Sequence, residues 1–403
     1  MSLVDLLNDV RTSGIRLSLK DGQLAVSSKG TVPTDMLARI KSQKAEIMSW
    51  LRQLADDARD QSDQIQPEPV SEAEPLAFSQ SRLWVMDRME SAAGLYNVPV
   101  VVRLQGNLDQ DALQEALDEI VARHQVLRTV FEETSQGVVQ RILPPQPVQM
   151  PLIDLSDRSD AESLLALATA DEAVRGFDLT RDLMLRTRLV RMSGTCHNLL
   201  LTLHHIATDG WSNGVLMAEL QALYHGQSLP KPRLQFTDYA RWQRRFLDKR
   251  GKDLSDWWHD TLAGAPDLHD LPTDLARPPA LRGDGANLLS DIPGGLATRL
   301  RDLARSRGVS LFTLLLSAYA TLLHRVSATE DLVIGTPVAG RERDELKQLV
   351  GFLVNTLPLR LKPEGSLRFL DFLERCNGTV TAAFAHQALP FEMMVERLNP
   401  RRS

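Results

Sequence analysis

The spacing of apolar positions changes along this chain, and the changes mark its elements. Residues 198–203 form a near-continuous apolar run, Asn198-Leu199-Leu200-Leu201-Thr202-Leu203, which meets two histidines, His204 and His205, and then an Asp209-Gly210 break. A short run bounded by a turn signal predicts a buried strand that stops where its polar residues begin. Side chains alternate along a strand, so Leu199, Leu201, Leu203 and His205 are expected on one face and His204 on the other. One histidine of the pair therefore looks into any given cavity. Beyond the break, Val215, Leu216, Leu220 and Leu223 recur at helical spacing.

The first 53 residues carry a pattern of their own. Leu3, Leu6, Leu7 and Val10 predict a helix ended by Gly14. Ile15, Leu17 and Leu19 then alternate with polar residues up to an Asp21-Gly22 turn, and Leu24 and Val26 alternate after it, which predicts a β-hairpin with one apolar face. Pro33-Thr34-Asp35 opens a second helix with Leu37, Ile40, Ile47, Met48 and Leu51 along one side. Residues 54–74 turn rich in Asp, Gln, Glu and Pro, a composition that predicts an extended tether.

The main body starts at Pro75. Strands are expected from Tyr96-Asn97 through Leu104 and over residues 138–143 and 183–192, with a helix from Asp109 whose stripe is Leu113, Ala116, Leu117, Ile120 and Val121. A further helix covers Gln235 to Gln243 and is expected to cross from one half of the body to the other. After a Pro-rich passage near residues 266–279 come a strand over 288–292, helices over 296–304 and 311–323, and a strand over 332–335. The organisation read from this is 1–53, a small α-β-β-α domain; 54–74, a linker; 75–250 and 251–403, two α/β lobes of like order forming a pseudo-dimer.

Composition narrows the function. With 403 residues, 43% hydrophobic and 24% charged, the chain can bury a sizeable core. A net charge of −6 spread along the sequence excludes a nucleic-acid partner, which needs a concentrated basic surface. Neither a leader pattern nor a membrane-length apolar run occurs, so the protein is read as cytoplasmic with no membrane partner. Cys196 and Cys376 are too few for a disulfide framework, and no His or Cys cluster has metal spacing, so no metal site is expected. Residues 1–53 run against the overall charge, their Lys and Arg outnumbering their Asp and Glu by three. Arg16, Lys20 and Lys29, on or beside a hairpin with open edges, would suit a short acidic peptide.

The pattern His204-His205 with Asp209-Gly210 resembles the active-site motif of the condensation domains of non-ribosomal peptide synthetases, members of the chloramphenicol-acetyltransferase-like acyltransferases. Five more stretches resemble that family's motifs in order: Phe78 to Trp84, His124 to Phe131, Gln235 to Gln243, Val350 to Arg360 and His386 to Glu392. Residues 1–53 resemble the docking domains at the N-termini of synthetase subunits. The resemblance implies two chloramphenicol-acetyltransferase-like lobes, the second incomplete at Ser403, where the family runs on through a seventh motif.

It also implies a reaction: amide formation between a donor acyl or peptidyl thioester and the amine of an aminoacyl thioester, each on the phosphopantetheine arm of a carrier protein, with no cofactor bound by the domain itself. His205 is then the general base or a positioning and charge-stabilising group, with His204, Asp209 and Gly210 completing the catalytic motif. Asp209 pairs with Arg341, and Asn355 lines the tunnel between the lobes that the two arms enter from opposite sides. The implied partners are two carrier proteins and the C-terminal tail of an upstream subunit. Two alternatives stand beside this: acyl transfer from coenzyme A or a carrier to a free amine or alcohol, and a non-catalytic docking or carrier-recruiting module.

Overall fold

The computed structural model describes residues 15–20, 23–28, 36, 40, 43, 44, 46–48, 64–89, 94–268, 271–275 and 288–399. Residues 1–64 with 295–310 make one compact unit, and residues 65–294 with 311–403 make the other.

In the first unit the expected hairpin is present. β1 (Ile15–Lys20) pairs antiparallel with β2 (Gln23–Ser28), Leu17 opposite Val26 and Leu19 opposite Leu24. Met36, Ile40 and Glu46–Met48 are helical, with Met36, Ile40 and Ile47 buried. Arg16 and Lys20 stand on β1. Lys29, the Asp21-Gly22 turn and the helix expected before Gly14 lie outside the described residues.

The second unit is built round a four-stranded sheet in the order β4 (Asn97–Gln105), β9 (Cys196–His204), β8 (Leu185–Ser193), β7 (Leu152–Asp154), where only the β8–β7 pairing is parallel. β9 has a strand on each side and is buried along nearly its whole length, which is why its sequence runs apolar without strict alternation. Three further strands, β3 (Glu74–Pro75), β6 (Gly137–Ile142) and β5 (Thr129–Thr134), form a second sheet in that order, and β10 (Leu332–Val338) pairs antiparallel with β11 (Asn355–Leu361).

Around these lie α1 (Phe78–Met89), α2 (Gln110–Arg123), α3 (Ala161–Val174), α4 (Gly210–Tyr224), α5 (Phe236–Leu262), α7 (Leu311–Ser327), α8 (Phe369–Ala385) and α9 (Phe391–Leu398). Between α5 and α7 the chain forms α6 (Gly294–Ser306), most of which belongs to the first unit. The stripe predicted for α2 is buried in full, and α2 packs on α4. Asp109 caps α2 by accepting from Ala112 N at 3.0 Å.

Four expectations need correction. The division at 250/251 falls inside α5, a helix of 27 residues that is continuous across it. Its length, about 40 Å at 1.5 Å per residue, carries it from Gln125 and Arg123, which bond Gln235 at its start, to Arg360, which bonds Ala263 O just past its end. The strand expected over 288–292 is not formed. Leu288 and Leu289 are 96% and 93% exposed, Pro293 follows, and no strand among the described residues offers it a ladder. The tether over 54–74 is docked from Ile65 on: Ile65 is fully buried and Glu74 pairs with Gln140 in the sheet. Its acids meet cations of α5, Glu68 with Arg245 at 2.7 Å and Glu74 with Arg241 at 2.6 Å. The strand carrying His204 ends there, so His205 opens a 3-10 turn, His205–Ala207, and shares no strand face with Leu203.

Candidate active site

The turn after β9 sets the two imidazoles apart. His204 is 2% exposed, its Nδ1 accepts from Ile206 N at 3.2 Å, and Tyr96 and Phe177 meet its ring edge-on. Its Nε2 therefore carries the hydrogen and faces Asp87 at 3.6 Å. His204 is a wall of the core that shapes the turn.

His205 is half-buried. Its main-chain N–H donates to Tyr96 O at 2.8 Å, and its Nδ1 lies 2.6 Å from Thr208 O. A carbonyl oxygen only accepts, so Nδ1 holds the proton of the neutral ring and Nε2 keeps its lone pair. The ring rests against Phe352, with centroids 4.5 Å apart.

Asp209, 1% exposed, sits at the N-cap of α4 and accepts from Ser212 N at 2.8 Å. Its carboxylate also takes Arg341 Nη1 at 2.8 Å, Arg341 Nη2 at 3.2 Å and Leu353 N at 3.1 Å. Arg341 in turn donates to Ser212 Oγ and Leu349 O, and Ser212 Oγ exchanges hydrogen bonds with Gly351. This knot fastens residues 341–353 to the start of α4. Such a pair needs its lone pairs and protons filled, since two buried charges are otherwise expensive.

The glycines that matter here are not the expected one. Gly210 has ordinary backbone angles, and a Cβ built on it meets nothing within 4 Å. It opens onto a groove of about 860 Å³ whose wall includes Trp211, Gly214, Arg123, Lys231 and Lys347. By contrast, Gly340 has φ +67° with Leu353 O 2.2 Å from the Cβ position, and Gly351 has φ +155° with the Phe236 ring at 1.9 Å. Both close contacts come from elements remote in sequence, so nothing local announces them.

Asn355 opens β11 and spends its side chain on the backbone. Its Nδ2 donates to Gln387 O and Leu389 O at 2.9 and 2.7 Å, and its Oδ1 accepts from Phe391 N and Thr356 N at 3.0 and 2.9 Å. It also lines a small cavity beside Tyr239 and Glu342. Burial pushes the Glu342 carboxyl above the usual range. Among the described residues no group of three or more His, Cys, Asp or Glu side chains is placed to hold a metal, and no single helix is long and apolar enough to cross a membrane.

Comparison with known proteins agrees with this geometry. The condensation domain family matches residues 70–403, and the TubC N-terminal docking domain matches residues 3–53. Malpibaldin synthetase of Mortierella alpina is 41% identical over 398 residues, 96% of this chain and 7% of that protein. Phosphinothricin tripeptide synthetase PhsB of Streptomyces viridochromogenes is 39% identical over 337 residues, 82% of this chain and 28% of that protein. The chain thus spans less than a third of the length of either relative. Among solved structures, the X-domain from teicoplanin biosynthesis superposes with a TM-score of 0.77 at 31% identity, covering 84% of this chain and 76% of that one. A four-domain nonribosomal peptide synthetase bound to AMP and glycine gives 0.75 at 25% identity over 84% of this chain and 26% of that one. The chain belongs to the condensation-domain family of nonribosomal peptide synthetases and carries an N-terminal docking domain.

Proposed function

We propose that this chain joins a carrier-bound acyl or peptidyl thioester to the amine of a carrier-bound aminoacyl thioester, with His205 as the group that takes the amine proton. The observation that carries this reading is the Nδ1 to Thr208 O bond, which leaves Nε2 as a free acceptor on a half-buried ring. The acceptor amine attacks the donor carbonyl carbon, its nitrogen bonding to that carbon as the carbon–sulfur bond breaks. Nε2 accepts the proton the nitrogen loses and returns it to the departing thiolate of the donor's phosphopantetheine arm. Asp209 and Arg341 do not touch the reactants in this scheme; they hold the turn and residues 341–353 together. Residues 1–53 receive an acidic tail of a preceding subunit, with Arg16, Lys20 and Lys29 as its cationic contacts.

A general base contributes roughly 10²- to 10⁴-fold, and a thioester is already activated, so the lower end of that range is expected. Two loaded carriers are incubated with the chain and the condensed product is followed by intact mass. His205→Ala is expected to slow product formation on the order of 10²-fold, and an undiminished rate removes the assignment. Deletion of residues 1–53 is expected to abolish preference for the cognate upstream carrier while leaving transfer from a freely supplied one.

A second reading has one observation in its favour. A solved complex joins the teicoplanin X-domain to OxyB, and that X-domain superposes on this chain with a TM-score of 0.76 at 32% identity. By that analogy the chain recruits another protein without catalysing condensation. Equal product yields with and without the chain in the carrier assay favour it.

A further inference from the structure

The chain segment that leads into the body is fastened along one side of α5. Glu68 N donates to Asp238 Oδ1 at 3.0 Å, Pro69 O accepts from Arg241 at 3.0 Å, Leu76 O accepts from Arg244 at 2.7 Å, and Phe78 N donates to Gln243 Oε1 at 3.1 Å. Bonds of this kind recur every few residues and make the segment a strap. Its two ends reach past α5 to the stretch that carries Arg341. At one end Ile65 N donates to Glu345 Oε1 at 3.2 Å, and at the other Ser79 Oγ donates to Phe352 O at 2.7 Å.

The second contact falls on a peptide already in use. The Phe352–Leu353 peptide has its N–H held by Asp209 Oδ2 at 3.1 Å and its C=O held by Ser79 Oγ at 2.7 Å. A planar peptide gripped at both ends has its rotation fixed, and the Phe352 ring that lies on His205 projects from the residue just before it. We propose that residues 65–79 are a positioning element of the active site, and that Ser79 is a positioning residue acting on His205 through Phe352. With the hydroxyl gone, the peptide keeps only its Asp209 bond, the Phe352 ring is free to turn from the 57° angle it makes with the imidazole, and His205 loses the ring contact that orients it.

This rests on the proposed role of His205, so the test includes a measurement that needs no substrate. The protein is labelled with ¹⁵N-histidine, the His205 ring signals are assigned by their loss in His205→Ala, and wild type is compared with Ser79→Ala and Ser79→Thr. The His205 signals are expected to move in Ser79→Ala and to return in Ser79→Thr, which restores the donor. In the carrier assay Ser79→Ala is expected to lower kcat on the order of 10-fold at unchanged KM, as a small misplacement of a reacting group does. Unchanged His205 signals in folded Ser79→Ala overturn the proposal. A ring shift without any condensation activity in wild type leaves the proposal standing and removes the functional reading instead. Should Ser79→Ala fail to fold, the strap's other anchor is read in the same way: Glu345→Ala is expected to move the His205 signals and Glu345→Gln, which keeps the acceptor, is not, while signals unmoved in Glu345→Ala overturn the proposal.

Discussion

Arg341 and Asp209, 132 positions apart in the chain, form a two-pronged ion pair in which neither side chain has more than 1% of its surface exposed. The pair is the centre of the knot between the start of α4 and residues 341–353. Removing one partner leaves a buried charge without compensation, at about 3–5 kcal/mol. Arg341→Met is therefore expected to lower the free energy of unfolding by an amount in that range, read as a lower denaturant midpoint at unchanged slope, and adding Asp209→Asn to recover part of the loss, because Asn still caps α4 and no longer buries a charge. Urea titration of the three proteins checks this.

Gly351 and Gly210 should respond unequally to the same substitution. Gly351→Ala places a methyl inside the Phe236 ring at a positive φ, and the overpacking and backbone strain together are expected to destabilise by about 2–5 kcal/mol. Gly210→Ala meets open space in the first turn of a helix and is expected to stay within about 0.5 kcal/mol of wild type. Thermal melts decide both.

The buried strand, the helix beyond the Asp209-Gly210 break and the stripe of α2 were legible because apolar period and turn signals are local properties of the chain. Where the outcome depended on a remote partner, local pattern misled. The acids at Glu68 and Glu74 read as a solvated tether because Arg245 and Arg241, which neutralise them, lie some 170 residues later. The run ending in Ile292 had the right composition for a strand and no ladder to join. His205 looked like one more alternating strand residue, whereas the backbone leaves the sheet there in a 3-10 turn that Thr208 N closes onto His205 O at 3.3 Å. The nearness of Arg341 to Asp209 came from family resemblance alone, since neither spacing nor charge singles out one arginine among many.

Acid should weaken the packing of α4 on α2 through one carboxylate. Burial alone would raise Glu219, but hydrogen bonds from His124 and Arg123 outweigh it and hold the carboxyl at about 2. The folded value lies below the unfolded one, so this contribution is complete above about pH 4.5 and is lost as the pH falls toward 2. Stability measured between pH 5 and pH 3 is expected to drop with a slope that Glu219→Gln lacks.

Asn355 is expected to act on stability more than on turnover. With three bonds going to main chain at the start of α9 and one to Thr356 N on β11, Asn355→Ala loses several hydrogen bonds at about 1 kcal/mol each, a total of about 2–4 kcal/mol, while KM for either loaded carrier stays unchanged. Equilibrium unfolding and steady-state kinetics on the same preparation separate the two effects.

The most direct measurement is the single-turnover rate of condensation against pH for wild type and His205→Ala, with the same pair of loaded carriers. Ionisation of the acceptor amine shapes both curves equally, so their ratio isolates the imidazole. If Nε2 takes the proton, the ratio is large near neutrality and shrinks through one protonation as the solution becomes acidic. A ratio that is flat across the range contradicts that role.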